Sequence, residues 1–189
     1  MDAIFEATIQ VLLTHGAACL TTTRVAERAG VSVGTLHQYC SNKQSLLFAL
    51  LKNHLERVLS AIEQACKQSQ GKPLADMVQA VVERFVDARM ERLDISLALC
   101  GIAAELGGPT PVKQMGLRSR KALQATSRTA PDAHFSPDDF AVQMMLPAMV
   151  GATRSVLEAG ATAVMVRRLR ERLALLCQSY MAAAATRRN

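Results

Sequence analysis

TTTRVAERAGVSVGTLHQYCSNK, residues 21–43, spells two short helices and the turn between them. The hydroxyl of Thr21 or Thr22 is placed to accept an orphan backbone N–H at the start of a first helix, Thr22 to Ala29. Val25 and Ala29 are expected on its inner face. Gly30 supplies the positive φ that closes such a helix, Val31 plugs back toward the core, and Ser32 caps the next helix. That helix, Val33 to Tyr39, has one inward anchor, Leu36, and leaves Val33, Gly34, Thr35, His37, Gln38 and Tyr39 outward or at its ends. A short helix with one apolar anchor and a polar outer face is arranged to meet something, and the major groove of B-DNA admits a single helix.

Outward from this stretch the chain reads as helices. Ile4 to Thr14, with Ile4, Ile9, Val11, Leu12 and Leu13 apolar and Gly16 as a stop, is the first helix of a three-helix reader. Ser41 and Gln44 form an S-x-x-Q capping box for a long helix, in which Leu47, Leu51, Leu55, Val58, Ile62 and Ala65 keep helical period to about Lys67. Leu74 to about Glu91 follows, with Met77, Val78, Val81, Phe85 and Val86 inward, then an apolar helix from about Ile95 to Leu106. Thr110 and Pro111 open a helix with a basic face at Lys113, Arg118, Arg120 and Lys121. Ser136, Pro137, Asp138 and Asp139 open another that reaches Gly160, with a kink at Pro147, and a last helix spans about Ala163 to Ala184. No alternating strand pattern is present, and the tail Thr186 to Asn189 is expected to fray. The fold class is therefore all-α, about nine helices without internal repeat.

Composition supports that class. Of 189 residues 50% are hydrophobic, enough for a real core, while aromatics make up 4% and Trp is absent, so Ala, Leu, Val and Met fill the interior. The formal charge of +6 permits an anionic partner, yet residues 1–72 hold seven Lys/Arg against five Asp/Glu, so placement rather than total charge carries a DNA argument. Five cysteines form no C-x-x-C pair, and with four histidines they give no zinc spacing, so no metal and no cofactor are expected and the thiols read as a reduced cytosolic set. No run of about 18 apolar residues exists, and Asp2 and Glu6 stand where a basic signal region would be, so the expectation is a cytoplasmic protein with no membrane partner.

Thr23, Val25, Ala26, Ala29, Gly30, Val31, Ser32, Gly34, Thr35, Leu36, Tyr39, Asn42, Lys43 and Leu46 together resemble the amino-terminal motif of tetracycline-repressor-type (TetR family) regulators, from about Ile4 to Leu51. His37 stands where that family usually has Tyr and Cys40 where it usually has Phe, and the basic arm many relatives carry ahead of the first helix is not expected here. The resemblance implies that Val33, Gly34, His37 and Gln38 face base edges, with Thr23 reaching in from the preceding helix, and that Thr35, Tyr39 and Lys43 hold phosphates. For His37 a base, a phosphate and solvent stay open, whereas Cys40 reads as a small core substitute rather than a redox sensor.

The resemblance further implies a DNA-binding domain over 1–50 and a ligand-binding and dimerisation domain over 51–189. Met77, Phe85, Met90, Cys100, Met115, Met144, Met145 and Met149 read either as a soft effector lining or as ordinary core, with Glu105, His134 and Gln143 as conceivable polar handles. Val166, Leu169, Leu173, Leu176 and Tyr180 form a stripe at spacings of three and four that packs within the chain or, as the resemblance favours, against a second copy. The reading is a homodimeric regulator of double-stranded operator DNA, a repressor released by a small, largely apolar effector. Its rivals are a helical adaptor binding protein through the basic Val112 to Arg128 face, and an enzyme with a Cys or His nucleophile, which lacks any base-and-orienter set at readable spacing.

Overall fold

The computed structural model describes residues 2–96, 98, 99, 109–135 and 140–187. The chain forms two compact units, Met1–His54 with Asp94–Gly108, and Leu55–Leu93 with Pro109–Asn189. The described elements are almost wholly helical, as the sequence predicts.

In the first unit α1 (Asp2–His15), α2 (Thr22–Ala29) and α3 (Val33–Tyr39) precede the start of α4 (Lys43–Ser69), and a further helix, α6, is described there at 94–96, 98 and 99. α1 packs on α2 and α2 on α3. Thr21 Oγ1 accepts the Arg24 N–H at 3.3 Å. At the other end of α2, Gly30 has φ 68°, its N–H reaches the Glu27 carbonyl at 3.2 Å, and Val31 N–H reaches the Ala26 carbonyl at 3.0 Å. This is the Schellman pattern, and it needs the left-handed residue that glycine provides without a Cβ penalty. Val25 and Ala26 are the buried residues of α2, and Ala29, its last residue, is only half-buried. In α1, likewise, Leu13 is exposed, lying about 100° round the helix from the buried Leu12.

The start of α4 differs from the predicted Ser41/Gln44 box. Asn42 is the cap: its Oδ1 accepts Ser45 N–H at 2.8 Å while Ser45 Oγ accepts Asn42 N–H at 3.0 Å, a reciprocal box one residue later. That register buries Leu46, Leu47, Leu50 and Leu51 together. Buried His54 places its Nε2 3.4 Å from Ser96 Oγ, a polar pair that keeps both groups satisfied inside this unit.

The second unit is built from the 55–69 part of α4 with α5 (Leu74–Met90), α7 (Pro109–Ser127), α8 (Phe140–Glu158) and α9 (Ala163–Ala184). α5 packs on α9, α9 on α8, α8 on α7, and α7 on α5. The core joins Ile62, Val82, Phe85, Met149, Leu173 and Met181, each almost fully enclosed, and each such side chain contributes about 1.5–3 kcal/mol over an exposed one. α7 starts at Pro109 rather than at Thr110–Pro111, and the start signal Ser136–Asp139, like Leu106, falls outside the described residues. α8 is long and apolar enough to cross a membrane by length and composition, with mean hydropathy 1.3, but it carries Pro147 and its Ala141, Val142, Met145, Leu146 and Met149 are committed to this core.

Two short strands depart from the all-helical expectation. β1 (Ala133–His134) pairs antiparallel with β2 (Thr186–Arg187), Ala133 opposite Arg187, so the backbone of Thr186 and Arg187 is hydrogen-bonded rather than frayed. The same turn region serves α5. Pro73, at the cap of α5, offers no side-chain acceptor, and Asp132 supplies it instead, its Oδ1 accepting Leu74 N–H at 2.9 Å.

Candidate functional site

α3 presents the outer face that the sequence predicts. Leu36 is wholly buried, Val33 is half-buried, and Gly34, Thr35, His37, Gln38 and Tyr39 are exposed, Tyr39 by 58%. Ser32 Oγ accepts Thr35 N–H at 2.9 Å and lies 2.8 Å from Thr35 Oγ1, which fixes the helix start and the Thr35 rotamer. His37 does not extend freely into solvent: its Nε2 sits 3.4 Å from Thr22 Oγ1 and ties α3 to the first turn of α2. Thr23, the next residue of α2, is exposed beside that contact. A solvent-facing polar helix is thus braced from behind by Leu36 and from the side by His37.

Lys43 is half-buried, and its ammonium donates to the Ala17 carbonyl in the α1–α2 connection. An ammonium carries three donors, so this anchor leaves two for an anion. Arg24 Nη1 donates to the Cys19 carbonyl at 3.1 Å and Arg28 Nε to Gln10 Oε1 at 2.6 Å, so both arginines brace α2 against neighbouring chain. Cys40 fills a buried position, and burial pushes its thiol pKa up, which suits a core substitute and not a reactive thiolate. Among the described residues no group of three or more His, Cys, Asp or Glu is placed to hold a metal ion.

The residues predicted to line an effector pocket do not form one lining. Met77 and Met145 line a small apolar space of about 20 Å³ with Leu74, Leu123, Val142 and Met181, room for about one water. Phe85, Met115 and Met149 are buried but lie away from it, and Met90 packs half-buried against the core. Met144 is 41% exposed, on the outer face of α8. Cys100 and Glu105 lie outside the described residues, and His134 is exposed on β1. A larger cleft of about 230 Å³ lies between α7 and α8, bordered by Lys113, Gly116, Leu117, Arg120, Gln143 and Pro147. Sequence reasoning found only Gln143 and the basic character of α7, because a cleft arises from two helices facing each other and neither helix's own period reports it.

The basic face of α7 is partly spent within the chain. Arg118 Nη1 pairs with Glu56 at 2.8 Å and its Nη2 with Glu63 at 3.2 Å, two carboxylates on α4, and Arg120 Nη1 donates to Gln143 Oε1 at 3.0 Å. This weakens the adaptor alternative. The predicted dimer stripe on α9 also divides. Leu169 and Leu173 are buried in the unit's own core, and Val166 packs half-buried against it. Leu176 and Tyr180 are exposed, as are Val164 and Leu175, although Tyr180 shares the helical face of Leu169 and Leu173; exposure on this stripe follows what packs on each turn and not the helical period.

A capped helix-turn-helix with an exposed, polar second helix, ahead of a helical unit with a cleft, defines the class of DNA-binding regulators with a separate helical domain. Residues 4–50 match the profile of bacterial regulatory proteins of the tetR family, and residues 73–181 match the tetracyclin repressor-like C-terminal domain. The chain belongs to the tetR family of transcriptional regulators. It is similar to the HTH-type transcriptional regulator NfxB of Pseudomonas aeruginosa, 38% identical over 61 residues that cover 32% of each protein. It is also similar to the HTH-type transcriptional activator FasR of Mycolicibacterium smegmatis, 35% identical over 63 residues that cover 33% of this chain and 28% of FasR. The chain thus spans about a third of the length of the curated relatives it matches. In fold it matches FadR of Bacillus subtilis, solved with stearoyl-CoA, with a TM-score of 0.75 at 14% identity over 95% of this chain and 98% of that one.

Proposed function

We propose that this regulator is a homodimeric repressor that holds an inverted-repeat operator and is released by a small, largely apolar effector. The observation that carries the reading is the outer face of α3, with Leu36 as the one fully buried side chain of an otherwise outward helix. In this reading 1–50 is the DNA-binding domain and 51–189 the ligand-binding and dimerisation domain. Val33, Gly34, His37 and Gln38 face base edges with Thr23, Gln38 pairing with adenine through its amide, while Thr35, Tyr39 and Lys43 hold phosphates. Two copies would set their α3 helices about 34 Å apart, one turn of DNA. The exposed Leu175, Leu176 and Tyr180 on α9 and Phe140 and Met144 on α8 support a face shared with a second copy. The effector acts only by binding the non-DNA conformation better. Since FasR is an activator and NfxB is described only as a regulator, the sign of regulation is part of the proposal.

The test is selection of genomic fragments on the purified protein, followed by titration of the recovered site with Gln38→Ala. The variant should lose about 1–3 kcal/mol on that site and relax preference at one position per half-site. Equal loss on random duplex would take Gln38 away from the bases, and a selection that returns no shared sequence would overturn the operator reading.

A further inference from the structure

The cleft between α7 and α8 has an apolar floor of Leu117, Val142 and Leu146 and two cations, Lys113 and Arg120, and no carboxylate among its described lining residues. Arg120 faces a neutral partner across it, the Gln143 amide oxygen at 3.0 Å, whereas Arg118, two residues earlier on α7, is neutralised by Glu56 and Glu63. Among the described residues, then, no carboxylate neutralises this guanidinium of α7 at the mouth of an apolar cleft. A guanidinium binds a carboxylate or phosphate through charge-assisted, bidentate hydrogen bonds that an amide oxygen cannot match.

Val142 also lines the small space bordered by Met77, Met145 and Met181, so the cleft and the methionine-lined space share a wall residue. The cleft's 230 Å³ is smaller than an ordinary small-molecule site of about 300–1,000 Å³. A ligand with a long apolar part fills it only by moving Val142 aside, and methionine is the residue whose unbranched thioether re-packs around such an intruder.

We infer that this cleft binds an amphipathic anion with an alkyl tail: Arg120 and Lys113 take the negative head, Gln143 is released from Arg120, and the tail passes Val142 toward Met77 and Met145. The inference rests on the effector-responsive reading above and sharpens it from an apolar effector to one with an anionic end. A fatty carboxylate and an acyl thioester of a phosphorylated carrier share this chemistry, and the assay separates them.

The full chain is titrated calorimetrically with decanoate, decanoyl-CoA and 1-decanol, all below their aggregation limits. At least one anion should bind about tenfold more tightly than the alcohol, and the tighter anion identifies the source of the head. Lys113→Gln combined with Arg120→Gln should erase that preference and leave decanol binding unchanged. If the double variant fails to fold, Arg120→Lys and Arg120→Gln are compared instead, and only the first should keep the preference. Equal binding of decanol and both anions, an unchanged preference in the variants, or no binding of any of the three would overturn the inference. Binding of the selected DNA fragment is measured on the same protein without amphiphile. DNA binding with indifference to the anions sinks only the inference, and anion binding without DNA binding sinks only the operator reading.

Discussion

Gly34→Ala should make the protein more stable and a worse DNA binder at once. Gly34 is the second residue of α3, and its φ lies outside the left-handed region, so the backbone there accepts any L-residue. A Cβ built on it meets only Ser32 Oγ, at 3.7 Å, which is ordinary van der Waals contact. Glycine in a helix costs about 0.5–1 kcal/mol relative to alanine through the entropy it loses on folding, so the substitution should gain up to that amount, less for its place in the first turn. If Gly34 faces base edges, the added methyl occupies the gap through which the backbone approaches DNA, and operator affinity should fall about tenfold, roughly 1.4 kcal/mol. Denaturant unfolding gives the first number and titration of the selected operator the second. Gly30→Ala is the control: its Cβ meets nothing within 4 Å, but φ is 68°, so strain of about 1–2 kcal/mol makes that variant less stable. A Gly34→Ala protein that gains stability and keeps full operator affinity would refute the placement of α3 against bases.

Asp132→Ala removes the side-chain acceptor of Leu74 N–H at the start of α5 and should cost about 0.5–2 kcal/mol in chemical denaturation, an effect absent from Asp132→Asn if the amide oxygen caps as well. Leu173→Glu places a charge in the core of the second unit and should prevent folding, whereas Leu176→Glu, on the exposed face of α9, should leave a folded chain that sediments as a monomer; a dimeric Leu176→Glu protein would move the interface. Burial pushes the Cys177 thiol up to about 11. Since the folded state resists the thiolate, the associated stability is complete below the unfolded thiol's pKa, about 8.5, and is lost as pH rises toward 11. Unfolding curves between those pH values should therefore be flatter for Cys177→Ala than for the parent, and a neutral-pH thiol reagent should modify exposed Cys19 well before Cys40, Cys66 or Cys177.

What the sequence disclosed follows from what is local. The α2–α3 turn was legible because each of its devices, Thr21, Gly30 and Ser32, acts within five residues of its own position. The start of α4 was misplaced by one residue because Ser41/Gln44 and Asn42/Ser45 satisfy the same capping rule, and burial of Leu46 with Leu47, not the cap, decides between them. Asp132 reaching back to Leu74, the β1–β2 pair and the α7–α8 cleft each join parts of the chain that no helical period connects. On α9 Leu169, Leu173, Leu176 and Tyr180 share one helical face, yet only Leu169 and Leu173 are covered, because burial depends on which neighbouring element reaches each turn and the period does not report that.

Arg118 grips Glu56 and Glu63 with separate nitrogens of one planar group, and those carboxylates stand seven residues, about two turns, apart on α4. A flat, rigid fork holding two points on a rod works as a splint. Between the two carboxylates the helix resists bending, and thermal flexure is displaced to the turns on either side. Amides between 57 and 63 should then exchange with deuterium more slowly than those near Lys52, and high salt, which screens exposed ion pairs, should soften the splinted turns selectively.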